Sequence, residues 1–348
     1  MEHAPVDPQQ GRLDTPDRQL APGTPSAPGP RRDPEAIDPT SLGLGLCCYL
    51  IWGFFPLYFH ALTPAGPLEV IVHRAVWGLI FCLILLAILH RLPDLWRAGR
   101  DREVLWRLSL AGALIVVNWT VYVFAVQSGH TVDAALGYFI NPLVTVALGL
   151  VVLRERISTP QKVAVGLGVV AVVVLVIGLG RLPWVSLTLA FSFGLYALVK
   201  KDVAHRVGPL EGMAVETAAV TPLLLGYFIY LAVNGQTSFH DLAREGGISW
   251  GWHLALLIGA GFLTMVPLIM FAKAAQGLPL GILGLIQYVA PIMQLLIGLF
   301  VFHETMEPAR WVGTAIVWVA LVVLGVDWVG QVRRARRLTR AARRADLG

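Results

Sequence analysis

The feature that most limits what this chain can fold into is a series of apolar runs, each long enough to cross a bilayer. Ten can be drawn, at roughly 41–62, 68–89, 105–127, 132–153, 161–179, 183–200, 211–233, 252–272, 280–302 and 309–329. Runs of about 18 to 24 residues, rising 1.5 Å per residue, reach roughly 27 to 36 Å, the thickness of the hydrocarbon layer. Most lack the polar stripe that a soluble helix turns to water. Only 14% of the 348 residues are charged, against roughly 25% in ordinary soluble domains. A transmembrane β-barrel would show alternation in segments of about ten residues, which is missing here. In lipid a helix satisfies its own backbone. The expected fold class is therefore an all-α membrane protein with ten transmembrane helices.

The segments outside these runs set the orientation. Residues 1–40 are rich in Pro, Asp, Arg and Gln and carry too little apolar surface to fold. They read as a disordered cytoplasmic tail, with no apolar core of a secretory signal. Residues 331–348 form a basic tail that includes Arg333, Arg334, Arg336, Arg337, Arg340, Arg343 and Arg344. Such a run can bind nucleic acid; beside a last membrane span it reads as a cytoplasmic tail near anionic lipid headgroups, and no nucleic-acid partner is expected. With the N-terminus inside, the inner loops hold Arg91, Arg97, Arg100, Arg102, Arg107, Arg154, Arg156, Lys162, Lys200, Lys201, Arg206 and Lys273. The outer loops hold Arg181, Arg244 and Arg310. That asymmetry places both termini in the cytoplasm.

Within the runs the chain repeats itself. Pro142, Gly149 and Glu155 recur at the same spacing as Pro291, Gly298 and Glu304. Trp52-Gly53 is echoed by Phe193-Gly194, and Phe124-Ala125 by Phe271-Ala272. By the span count the first Pro-Gly-Glu copy ends inside and the second outside. Five spans per half means that the second half enters upside down, as in the inverted repeats of many secondary transporters. The two halves are expected at 41–180 and 181–330.

Several chemistries find no support. The chain has no phosphate loop and no nucleophile elbow, zinc-protease or dinucleotide motif in a suitable context. Cys47, Cys48 and Cys82 all lie in apolar runs without zinc spacing, so they read as small core residues. No catalytic residue, metal or cofactor is expected.

Polar groups inside the spans carry the functional expectation, because each is costly in hydrocarbon. Glu69, His73 and Arg74 cluster in the second span, and Glu69 and His73 share a helix face. A constant offset carries Glu69 to Glu211 and Arg74 to Glu216. Arg74 and Glu216 are expected to guard opposite ends of a central cavity without pairing directly. Arg74 would attract an anionic group and Glu216 would carry a proton, with snorkelling to the headgroups as the alternative for both. His73 would relay protons or simply bond to Glu69. Asn118, Gln127, Asn141, Gln287 and Gln294 would line a passage or bond helix to helix. Pro142 and Pro291 are expected to break their helices and expose carbonyls, or to kink them in packing. A cavity lined by Arg74, Asn118, Asn141 and Gln287 is the result.

The run Leu136-Gly137-Tyr138-Phe139-Ile140-Asn141-Pro142-Leu143 resembles a signature of the RarD family. Supporting stretches are Tyr49 to Gly53, His73-Arg74 with Trp77, Asn118-Trp119, Ala190 to Lys201, Glu216, and Val266-Pro267. RarD belongs to the EamA group of the drug/metabolite transporter superfamily. The resemblance covers about residues 42–330 and implies a bacterial inner-membrane permease of five plus five inverted helices. Its members are proposed to export small metabolites or drugs. The family often places Gly before the Glu that closes the fourth and ninth spans; here Arg154 and His303 stand there.

The expected function is a secondary transporter working by alternating access, driven by protons or membrane potential, with an amino-acid-like metabolite as the first substrate class. A passive channel and a non-transporting membrane scaffold are the alternatives. Expected partners are a small-molecule substrate, membrane lipids, protons and a second copy in a homodimer.

Overall fold

The computed structural model describes residues 38–152, 154, 157–203, 206–245, 248–278 and 280–345. The N-terminal tail up to residue 37, and Glu155, lie outside them. The first half contains α1 (Pro39–Gly53), α2 (Phe55–Ala61), α3 (Pro67–Ile88), α4 (Leu92–Arg100), α5 (Arg102–Gln127), α6 (Thr131–Val151) and α7 (Thr159–Leu179). The second contains α8 (Trp184–Val203), α9 (Pro209–Val233), α10 (Ser238–Glu245), α11 (Trp250–Gly277), α12 (Leu280–Ile286), α13 (Val289–Phe300) and α14 (Pro308–Ala345). No strand occurs among the described residues.

Helix starts follow the sequence closely. Asp38 accepts hydrogen bonds from the Thr40 and Ser41 backbone, with Pro39 preset for the first turn. Asp101 caps α5 in the same way. Ser158 and Gln161 form a reciprocal capping box on α7. Pro67 and Pro209 each open their helix behind a glycine.

Among the described residues nine helices are long and apolar enough to cross a membrane, where ten were expected. The helix that falls outside this set is α8. It has 20 residues, but Lys200, Lys201 and Asp202 close it and Ser186, Thr188 and Ser192 dilute its apolar length. The others carry a lipid-facing coat, with Ile177, Leu223, Val233 and Val326 well exposed. Trp106, Trp184, Trp250 and Trp252 are exposed near helix ends, where amphipathic rings suit the membrane interface.

Two of the expected spans are interrupted. α1 gives way to α2 at Phe54, and α12 to α13 at Gln287 and Tyr288. Pro291 therefore sits in the first turn of α13, just beyond a break. α6, in contrast, runs on through Pro142. That corrects the expected break: a proline removes one ladder bond, and neighbouring helices can hold the remaining turns in register.

Helix packing has an exchange symmetry. Set α1–α2, α3, α5, α6 and α7 against α8, α9, α11, α12–α13 and α14. α1 packs on α11 and α13, and α8 packs on α5 and α6. α3 packs on α11, and α9 packs on α5. The remaining major pairs, α3 with α9, α6 with α13 and α7 with α14, exchange with themselves. Glycines allow two of the cross-half contacts. A Cβ on Gly112 of α5 would stand 2.6 Å from the Glu216 carbonyl oxygen of α9. A Cβ on Gly261 of α11 would stand 2.6 Å from the Gly78 nitrogen of α3. Small residues of this kind bring helix backbones into direct contact in membranes.

Arg154 and His303 both adopt φ 53, in the left-handed region. That is the conformation glycine enters without penalty. Arg154 and His303, at the places where the resemblance implies glycine, thus hold a conformation that glycine would adopt without strain.

Candidate functional site

Arg74 lies at the junction of the two halves. Its side chain is buried, at 5% exposure. Its Nε donates to Thr264 Oγ1 of α11 at 2.7 Å. Its guanidinium stands 3.9 Å from the centroid of the Trp119 ring of α5. Phe59 and Phe55 of α2 lie at 5.4 and 5.6 Å. Four elements therefore hold one cation in an aromatic cage, where cation–π attraction replaces part of its hydration. No ion pair to Arg74 is present among the described residues, and it does not snorkel.

The rest of the polar interior is mostly occupied. Asn118 Nδ2 donates to the Leu189 carbonyl and to Ser192 Oγ of α8, both at 3.0 Å. The Tyr138 hydroxyl of α6 donates to Asn118 Oδ1 at 3.1 Å. Asn118 thus clamps α5, α6 and α8 together. Asn141, one turn beyond Tyr138, has a buried Oδ1 without a partner among the described residues. Gln294 donates to the Trp52 carbonyl at 3.0 Å, joining α13 to the end of α1. Gln287 is half-buried at the break between α12 and α13. Gln127 donates to the Ala65 carbonyl at 2.9 Å and secures the α2–α3 turn.

The buried acids are engaged elsewhere. Glu216 pairs with Lys200, and the Tyr196 hydroxyl donates to it at 3.3 Å. Glu69 accepts from the Ser238 backbone at 3.0 Å and from the Ser238 hydroxyl at 2.9 Å, holding the start of α10. Its expected bond to His73 is not formed, because α10 supplies closer donors. His73 packs edge-on against Phe228, centroids 5.2 Å apart, and its Nε2 has no partner among the described residues. Glu211, the counterpart of Glu69, binds Arg91 at 2.9 Å, just ahead of α4. Each acid thus tethers the short helix that interrupts the other half.

Sequence reasoning passed over several groups. Asp133 and Arg310 form a buried pair, with contacts of 3.1 Å from Arg310 to each carboxylate oxygen. Glu304, by contrast, was marked by the Pro-Gly-Glu repeat; it accepts from the Thr131 and Val132 backbone at 2.7 and 2.8 Å, capping α6 from the loop after α13. His253 is fully buried against Ser238, Nε2 to Oγ 2.8 Å. Thr264 and the Phe55 and Phe59 rings beside Arg74 were equally unmarked. A cavity of about 340 Å³ opens at the Gly66 end of α3, lined by Glu69, Thr120, Phe124, Tyr227 and Gln236 among others. Arg74, Asn118, Asn141 and Gln287, expected to line a chamber together, do not border it.

An all-helical bundle with many bilayer-length spans and a caged cation at the seam between its halves has the construction of a multi-pass membrane transporter. Comparison with known proteins agrees. Residues 40–177 and 183–326 each match the EamA-like transporter family. Protein RarD of Streptomyces exfoliatus is 44% identical over 303 residues, 87% of this chain and 93% of that one. Protein RarD of Escherichia coli K12 is 34% identical over 294 residues, 84% of this chain and 96% of that one. An uncharacterized transporter of Pseudomonas aeruginosa is 40% identical over 292 residues, 84% of this chain and 95% of that one. The chain belongs to the RarD family of the EamA-like transporters, within the drug/metabolite transporter superfamily, and is a multi-pass protein of the bacterial cytoplasmic membrane. One protein of known crystal structure, 16% identical, shares the fold with a TM-score of 0.53, over 86% of this chain and 98% of that one.

Proposed function

We propose that this protein is a secondary transporter that moves small metabolites or drugs outward by alternating access. The observation that carries this reading is the exchange symmetry of helix packing, with Arg74 at the seam. Two halves at 41–180 and 181–330, related by a twofold axis in the membrane plane, would place α8 as the tenth crossing. The repeated family match supports two equivalent halves. Their inversion rests on five spans per half and on the Lys and Arg bias of the loops, which puts both termini in the cytoplasm.

Transport then proceeds as the halves rock about a fixed central site. Membrane potential or a proton gradient supplies the drive. Glu216, buried beside Lys200 and Tyr196, is the coupling residue of choice on the α8–α9 side. Flux in proteoliposomes, with and without a pH gradient, tests the reading. Solute flux that saturates and persists without either tail supports a carrier. Single-channel conductance in a planar bilayer, or no flux of any solute, overturns it. Cysteines placed in the α7–α8 and α8–α9 loops should label from opposite faces; labelling from the same face removes the inverted arrangement.

A further inference from the structure

Resting on the transporter reading, we infer that the site at Arg74 takes a monoanionic carboxylate with an apolar or aromatic body, and excludes zwitterions. The inference comes from charge accounting. The buried charged side chains described are Glu69, Arg74, Asp133, Glu211, Glu216 and Arg310. Asp133 and Arg310 neutralise each other. Glu211 has Arg91 and Glu216 has Lys200. Glu69 is held by the hydroxyl and first backbone N–H of α10. Arg74 alone is left without an opposite charge or a helix end to answer it.

The geometry of the cage narrows what can supply that charge. Thr264 takes the Nε proton at 2.7 Å, which fixes the plane of the guanidinium. Trp119 covers one face of it at 3.9 Å. The outer edge, bearing the two terminal nitrogens, makes no hydrogen bond to a protein acceptor among the described residues. A guanidinium edge so presented matches the two oxygens of a carboxylate. Phe55 and Phe59 stand beside the guanidinium, Tyr122 packs on Phe59 with centroids 5.9 Å apart, and the Tyr122 hydroxyl has no partner among the described residues. Rings of this kind around a cation suit a ligand whose carboxylate is joined to an aryl or alkyl body, and the Tyr122 hydroxyl would give it one further hydrogen bond.

The same accounting excludes an amino acid. An ammonium group beside the carboxylate needs an acid or a set of carbonyls. Every buried acid described is already engaged, and Arg74 repels a second cation. The amino-acid-like class expected from the sequence therefore gives way to its deaminated counterpart.

The test is ligand binding to the purified full-length protein in nanodiscs, read by tryptophan fluorescence and by the thermal unfolding midpoint. Phenylacetate, cinnamate and indoleacetate are each compared with their amides, and phenylacetate with phenylglycine. At least one acid should bind roughly ten- to a hundredfold more tightly than its amide, the range of a charged hydrogen-bonded contact. Phenylglycine should bind more weakly than phenylacetate. In Arg74→Gln the preference for acid over amide should vanish, and in Arg74→Lys it should shrink. Equal binding of acids and amides, no acid binding, or phenylglycine matching phenylacetate overturns the inference, and these comparisons need only the unmodified protein. If proteoliposomes carry an amide or a cation but no acid, transport stands and this assignment falls.

Discussion

Glu304→Gln isolates one charged contact between the halves. The native carboxylate accepts two backbone N–H groups at the start of α6, at 2.7 and 2.8 Å. Those donors are among the four that a helix N-terminus leaves unpaired, and the helix dipole favours a negative charge there. The amide of Gln keeps one oxygen acceptor and turns an NH2 toward the other donor. One charge-assisted bond is lost, worth about 1.5 kcal/mol at the low end suited to a half-buried site. The dipole contribution removes about another 0.5 kcal/mol. The expected loss is about 2 kcal/mol. At roughly 2 °C per kcal/mol for a chain of this size, the unfolding midpoint in detergent falls by about 4 °C. Glu304→Asp should fall too, since its shorter side chain does not reach both donors. The α6 amides of Thr131 and Val132 should also exchange hydrogen faster in Glu304→Gln. An unchanged midpoint together with unchanged exchange at those amides would refute the capping role.

Other contacts make equally specific predictions. Arg310→Ala should lower stability by about 3–5 kcal/mol, because it leaves Asp133 charged and buried; the double change Asp133→Leu with Arg310→Met should recover most of it in the same thermal assay. Asn118→Ala and Tyr138→Phe should be non-additive, with a coupling of about 0.5–3 kcal/mol in a double-mutant cycle, since the two share one hydrogen bond. His303→Val should lose about 1–2 kcal/mol at its left-handed backbone, whereas His303→Gly should not destabilise; the order of unfolding midpoints checks both. Gly112→Leu should abolish the approach of α5 to α9 and with it folding into the membrane, read as loss of the monodisperse species in gel filtration.

Nine of the ten expected spans were legible in the sequence, because length and hydropathy settle them residue by residue; α8, with its polar and charged residues, falls short among the described residues. Arg74 was legible as well, since a cation in an apolar run is anomalous wherever it packs. Its surroundings were not. Thr264 is 190 positions away, and nothing local marks one threonine among several in apolar runs. Glu69 was misread for the same reason: helical spacing suggested His73, but α10 arrives from the other half with a backbone donor. Asp133 and Arg310 were missed although a signal existed. An acid placed third in an apolar helix demands a cation, and Arg310 lies at the start of the last span. Pro142 misled because a proline marks where a break is allowed, whereas the actual interruptions at Phe54 and at Gln287 and Tyr288 depend on what packs beside them.

The crossings at Gly112 and Gly261 have a mechanical consequence. Interlocked side chains act as gear teeth, and packed helices must disengage them before they turn. Where main chain lies on main chain there is nothing to disengage. α5 on α9 and α3 on α11 can therefore change their angle like two blades on a rivet, with the contact kept while the far ends swing. Both rivets join one half to the other, so they are the two points about which the ends of the bundle can part.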